Sequence, residues 1–357
     1  FEYSQGPGLP LWHPENYDGD YLGPTPLRVG IEKSRNVMTV RLANAIGMPT
    51  IVDYAKKFGV ADTMPELLSF SLGAKETTPL RMATAYGMIV NGGKKITPSL
   101  VDRVQDRDGK TIWRADQREC KACDNLGWSA QLLPPDIPDT REQIEDPRTA
   151  YQMVSIMTGV VQRGTAAHLA HLGFPLAGKT GTTNDAKDAW FIGYTPDLVC
   201  AVYVGFDNPE PLGSRETGAS VAVPIFEDFI TGAMKGKTGT PFRVPSGLRM
   251  VRINPASGAL SEVGDARSIW EAYVPDTEPK DGEQRPVLDG SVTGAAANGA
   301  AGAFTPVNAT VPEIGEDGLP IAPVVIDSHS APTVTTPQPA FPPASSPPAP
   351  QGTGGLY

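Results

Sequence analysis

The stretch DAWFIGYTPDLVCAVYVGF, residues 188–206, constrains the fold more than any other part of the chain. Two runs, 188–194 and 198–206, are rich in aromatic and β-branched residues and flank Thr195-Pro196-Asp197. Residues of these types suit a pleated, packed surface. A three-residue link is too short for a parallel crossover, so the pair reads as an antiparallel hairpin. Immediately before it stands GKTGTTN (178–184), where a cation and a row of hydroxyls precede the apolar strand.

Helical patterns dominate the rest. TPLRVGIEK places Pro26 in a first turn, and NVMTVRLANAIG spaces Val37, Val40, Leu42, Ala43 and Ile46 roughly helically before a stop at Gly47. TIVDYAKKFG (50–59) is a third short helix. Residues 77–92 open with Thr78 as N-cap and Pro79 at the first helical position. Asp146-Pro147 opens a long helix through about Gln162, and 220–236 reads as another. A minor hairpin is predicted about Asp108-Gly109. Helices followed by a strand hairpin and a helix predict an α+β fold, with helices covering an antiparallel sheet.

From about residue 286 the chain turns to Gly, Ala, Pro, Ser and Thr. Such a segment buries too little apolar area to offset its ordering entropy, so 286–357 is expected to be disordered. We expect 1–236 to form the main domain and 237–285 a small extension of strands and turns. Net charge is −10, which excludes the basic face of a nucleic-acid binder. No run of eighteen apolar residues predicts a membrane span. The chain opens on Phe1 without a secretory leader, and we expect it to be the C-terminal piece of a longer protein.

Two short motifs carry candidate chemistry. In Lys179-Thr180-Gly181-Thr182, the lysine favours an anionic ligand and the glycine admits close approach. The threonine hydroxyls can donate to a carboxylate. Ser34-Arg35-Asn36 lies at a helix break, where Ser and Asn are also ordinary capping residues. A given tripeptide arises by chance in a chain this long with a probability of roughly 5–10%, so neither motif decides anything alone.

Together, Ser-x-Asn on the helical half and Lys-Thr-Gly before a hairpin resemble the penicilloyl serine transferases. NYDGDYLGPTPLRVGIEKSRNVMTVRLA, SLGAKETTPLRMATAYGMIVNGG, DPRTAYQMVSIMTGVVQRGTA and GKTGTTNDAKDAWFIGYTPDLVCAVYVGFD are similar to the transpeptidase half of class A penicillin-binding proteins. SIWEAYVPDTEP (268–279) resembles the tail of that domain, so the likeness covers about residues 1–285. It implies a serine D,D-transpeptidase that crosslinks peptidoglycan stem peptides, binds β-lactams and needs no cofactor or metal. It also implies a glycosyltransferase domain and a membrane anchor upstream, a position on the periplasmic side of the inner membrane, and cell-wall synthesis proteins as possible partners. Ser34 would relay a proton and the Asn36 side-chain amide would donate to a substrate carbonyl. Lys179 would supply electrostatics and proton relay. Thr180, Gly181 and Thr182 would form the carboxylate and oxyanion subsites.

One family motif is missing. No serine in the chain is followed at the third position by lysine, so the nucleophilic Ser-x-x-Lys is absent. Ser71-Leu72-Gly73-Ala74-Lys75 is one residue too long. In the family the nucleophile precedes Ser-x-Asn, and we expect it upstream of Phe1. Two other functions fit the pattern: a β-lactamase, or a non-catalytic scaffold that keeps the fold. Cys120-x-x-Cys123 allows a disulfide, free thiols, or a zinc site with His168 and His171. The implied periplasmic setting favours the disulfide. Cys200 is expected to be a buried apolar residue.

Overall fold

The computed structural model of the chain describes residues 2–4, 11–120, 137–262 and 264–280. The expected disordered tail and Cys123 lie outside the described residues. Cys120 is disulfide-bonded, which removes it from any zinc site.

Strands β1 (Tyr3–Ser4) and β2 (Leu11–Trp12) pair near the start. Helices α1 (Leu27–Glu32), α2 (Asn36–Ile46) and α3 (Met48–Lys57) follow. Between the first two, Ser34 sits in the left-handed region at φ 54° and turns the chain sharply. Helix α2 has no side-chain cap of its own; Asn16 from the N-terminal segment accepts the Val37 N–H at 3.2 Å instead. Helix α4 (Pro79–Val90) begins as the sequence predicts, with the Thr78 hydroxyl accepting the Arg81 N–H. The minor hairpin is β3 (Arg103–Gln105) and β4 (Thr111–Arg114). Helix α5 (Pro147–Gln162) is capped by Asp146, which accepts the Arg148 N–H at 2.8 Å.

The central sheet has three antiparallel strands in the order β5 (Ala177–Thr182), β6 (Asp188–Tyr194) and β7 (Val199–Gly205). The hairpin of β6 and β7 is the one read from the sequence. Strand β5 was not among the strands so predicted: AGKTGT has no apolar alternation and becomes a strand by pairing along β6, from Ala177↔Tyr194 to Thr182↔Ala189. Helix α6 (Val223–Met234) follows a single π-turn at Gly218–Ala222. The hairpin of β8 (Arg249–Ile253) and β9 (Ile269–Tyr273) closes the described chain.

Phe191 and Tyr194 are three apart on β6 and so face opposite sides of the sheet. Phe191 packs edge-on against Phe226 of α6, in a cluster with Val160, Val161 and Ile230. Tyr194 packs with Val154 and Met157 of α5 and against Tyr86 of α4. Gly193 lets Phe226 close on the sheet, because a Cβ there would lie 2.5 Å from the ring. A separate cluster of Val40, Ala43, Met48 and Leu68 joins α2 and α3. The sheet is therefore gripped from both faces, and β5 is left at its edge. Cys200 is half-buried on β7, less enclosed than expected, and burial raises its thiol pKa. No described helix is long and apolar enough to cross a membrane.

Candidate active site

Edge strand β5 carries Lys179, Thr180, Gly181 and Thr182. The Lys179 ammonium donates to Ser34 Oγ at 2.7 Å and to the Thr180 carbonyl at 2.9 Å. The two motifs thus meet through one hydrogen bond. Burial lowers the Lys179 pKa from its usual 10.5 to about 8, since the charged form loses hydration.

Each threonine hydroxyl has a protein partner. Thr182 Oγ1 accepts the Gly218 N–H at 3.0 Å, which leaves its own O–H to donate elsewhere. Thr180 Oγ1 lies 2.7 Å from Thr165 Oγ1, in the turn after α5. Thr165 had no role in the sequence reading, since a threonine after Arg163-Gly164 looks like any helix-terminating residue. Gly181 faces Trp190 across the sheet, and a Cβ there would stand 3.2 Å from Trp190 Cβ. Gly218 packs still closer, as an added Cβ would meet the Trp190 and Gly181 carbonyls at 2.4 and 2.5 Å. The π-turn is thereby laid on β5 beside Thr182.

Asn36 is the first residue of α2, and its Nδ2 donates to the Glu15 carbonyl at 3.0 Å. No direct bond joins it to Lys179 or to the threonines. Next to it Arg35 pairs with Asp18 at 2.6 Å, which lowers the Asp18 pKa chiefly through that hydrogen bond.

The decoys separate from the site. Ser71 gives its hydroxyl to the Leu68 carbonyl, and Gly73 breaks the chain in the left-handed region before Lys75. His168 and His171 both face Glu227 of α6, at 2.9 and 3.2 Å. GKTGT also occurs a second time, at 236–240. There it forms no strand, and Lys237 is exposed.

The arrangement can bind an anion at β5 and move a proton between Lys179 and Ser34. Family comparison agrees with that fold. The penicillin binding protein transpeptidase domain matches residues 2–231. The chain belongs to the penicillin-binding protein transpeptidase family. Penicillin-binding protein 1A of Rickettsia bellii is 46% identical over 273 residues, covering 76% of this chain and 34% of that protein. Its Neisseria gonorrhoeae counterpart is 40% identical over 246 residues, covering 68% and 29% respectively. The crystal structure of penicillin-binding protein 1A from Haemophilus influenzae superposes with a TM-score of 0.67 at 29% identity, over 78% of this chain and 44% of that one. The chain spans about a third of the length of the curated relatives it matches.

Proposed function

We propose that this chain supplies the Ser-x-Asn and Lys-Thr-Gly parts of a D,D-transpeptidase that crosslinks peptidoglycan. The observation that carries the reading is the Lys179–Ser34 hydrogen bond beside an edge strand with two ordered threonine hydroxyls. A donor stem peptide adds alongside β5, as an extended peptide does at an open sheet edge. Its terminal carboxylate takes the Thr180 and Thr182 hydroxyls and the charge of Lys179. Gly181 leaves room for the backbone, and the Thr182 N–H polarises the scissile carbonyl. Asn36 Nδ2 donates to a substrate carbonyl in place of the Glu15 carbonyl.

The nucleophile belongs to a Ser-x-x-Lys outside these residues. Its oxygen attacks the D-Ala-D-Ala carbonyl, and its proton passes through Ser34 to the departing D-Ala amine. The acyl-enzyme ester is then broken by the amine of a neighbouring stem peptide. β-Lactams acylate the same serine. Residues 1–236 form part of the transpeptidase domain and 237–285 its extension. The whole protein carries a glycosyltransferase domain and a membrane anchor, and it works on the periplasmic side of the inner membrane with other cell-wall synthesis proteins.

The test uses the full-length gene product with a D-Ala-D-Ala stem peptide and an amine acceptor. Release of D-Ala together with crosslinked product supports the reading. Rapid hydrolysis of penicillin without crosslinking would point to a β-lactamase. No reaction and no penicillin adduct would point to a non-catalytic scaffold.

A further inference from the structure

A buried ion cluster lies directly behind the site, and the reaction as described does not use it. Glu32 ends α1, two residues before Ser34, and is 2% exposed. Its Oε1 accepts from Arg163 Nη2 at 2.6 Å and from Arg28 Nη1 at 3.2 Å. Its Oε2 accepts from Arg163 Nε at 3.3 Å. Arg28, also buried, donates to both carboxylate oxygens of Glu271 on β9 and to the carbonyl and hydroxyl of Ser155 on α5. Two guanidinium and two carboxylate groups make the cluster neutral.

Glu32 also works through its backbone. Its carbonyl accepts the Thr165 N–H at 3.1 Å, and Thr165 is the residue whose hydroxyl meets Thr180. Lys33, the next residue, donates to the Arg163 carbonyl at 2.7 Å. Helix α5 and its following turn carry no side chain where Glu32 presses on them. A Cβ at Gly159 would lie 1.8 Å from Glu32 Oε1, and one at Gly164 would lie 2.2 Å from the Glu32 carbonyl oxygen.

We propose that Glu32 is a positioning residue that sets Ser34 against Lys179 and, through Thr165, sets Thr180 on the same strand. The proposal rests on the transpeptidase reading of this site. Ser34 depends on Glu32 through two residues of chain, and Thr180 depends on it through the Thr165 hydroxyl. A buried carboxylate between two guanidinium groups has little freedom, because any displacement strips a charge of its partners. The end of α1 and the end of α5 are therefore pinned at one point, and both halves of the site hang from it. The β8–β9 hairpin supports that point through Glu271 and Arg28, which gives the C-terminal extension a part in the site.

The test uses the full-length protein carrying Glu32→Gln, and a second variant, Glu32→Gln with Arg163→Gln, that keeps the cluster neutral should the first fail to fold. The first readout is the second-order rate of acylation by fluorescent penicillin. The second is the titration of the Lys179 amine, read by acetic anhydride labelling against pH with mass spectrometry of its peptide. We expect acylation to fall roughly tenfold to a hundredfold in both variants, while thermal stability recovers in the double variant. We also expect the Lys179 titration to move up from about 8. Acylation that recovers together with stability would overturn the proposal, because Glu32 would then only balance charge. An unchanged Lys179 titration in a folded variant would overturn it as well. If the wild-type protein is not acylated at all, the transpeptidase reading fails, and the Lys179 titration alone still decides the role of Glu32.

Discussion

Lys179 Nζ stands 2.7 Å from Ser34 Oγ, although 145 positions separate the two residues in the chain. That bond joins the helical half of the domain to the edge of the sheet, and the first prediction concerns it. Lys179→Met removes the donor and the charge while keeping an unbranched chain. Loss of one such preorganised group costs about a hundredfold to a thousandfold in rate. Penicillin acylation of the full-length protein should fall by that order, with circular dichroism unchanged.

The pH dependence has a fixed sign. Burial holds the Lys179 pKa at about 8, so the group is charged below that pH and neutral above it. Affinity for an anionic ligand should be highest below pH 8 and fall as pH rises through it. A descending limb near 8 in the pH profile of kcat/KM for acylation is the expected outcome. Folding stability moves the other way. Between about 8 and the ordinary 10.5 the unfolded chain binds the extra proton, so this group makes stability rise with pH across that window.

Thr182→Val keeps the shape of the side chain and removes the hydroxyl that accepts from Gly218. A hydrogen bond to a charged group contributes about 1.5–3 kcal/mol. The variant should raise KM for a donor peptide about tenfold or more with a smaller change in kcat. Equal loss in a substrate lacking the terminal carboxylate would assign Thr182 another role.

The core and the cluster have different weak points. Glu271→Gln takes one carboxylate from a buried guanidinium, and removing one partner of a buried pair costs about 3–5 kcal/mol. Tyr194 is fully buried, and its hydroxyl finds no hydrogen-bond partner among the described residues. Tyr194→Phe should therefore leave stability unchanged or raise it by about 1 kcal/mol. Urea unfolding of the two variants separates these outcomes by both sign and size.

Much of the fold was legible because its signals are local. Thr78-Pro79 and Asp146-Pro147 mark helix starts by capping chemistry, and 188–206 carries its own turn. The two motifs, far apart in the sequence, lie side by side in the fold, joined by the Lys179–Ser34 bond. The brace behind them was not legible. Arg28 and Glu271 are 243 positions apart, and no periodicity ties an isolated arginine to a glutamate at that distance. Thr165 was missed for the same reason. The two copies of GKTGT show the limit most plainly. The first follows buried Leu176 and Ala177 and finds β6 as a partner, so it becomes a strand. The second follows the end of α6 with no strand beside it, and its lysine stays in solvent. Pairing, rather than the five residues themselves, makes the strand.

The central claim is that these residues build the anion-binding and proton-relay side of a site whose nucleophile lies elsewhere in the protein. Peptide mapping of the full-length gene product after incubation with penicillin tests it most directly. The account predicts a penicilloyl adduct on a serine of a Ser-x-x-Lys outside residues 1–357, formed about a hundredfold to a thousandfold more slowly in Lys179→Met. A penicilloyl adduct on any serine within 1–357 would contradict it.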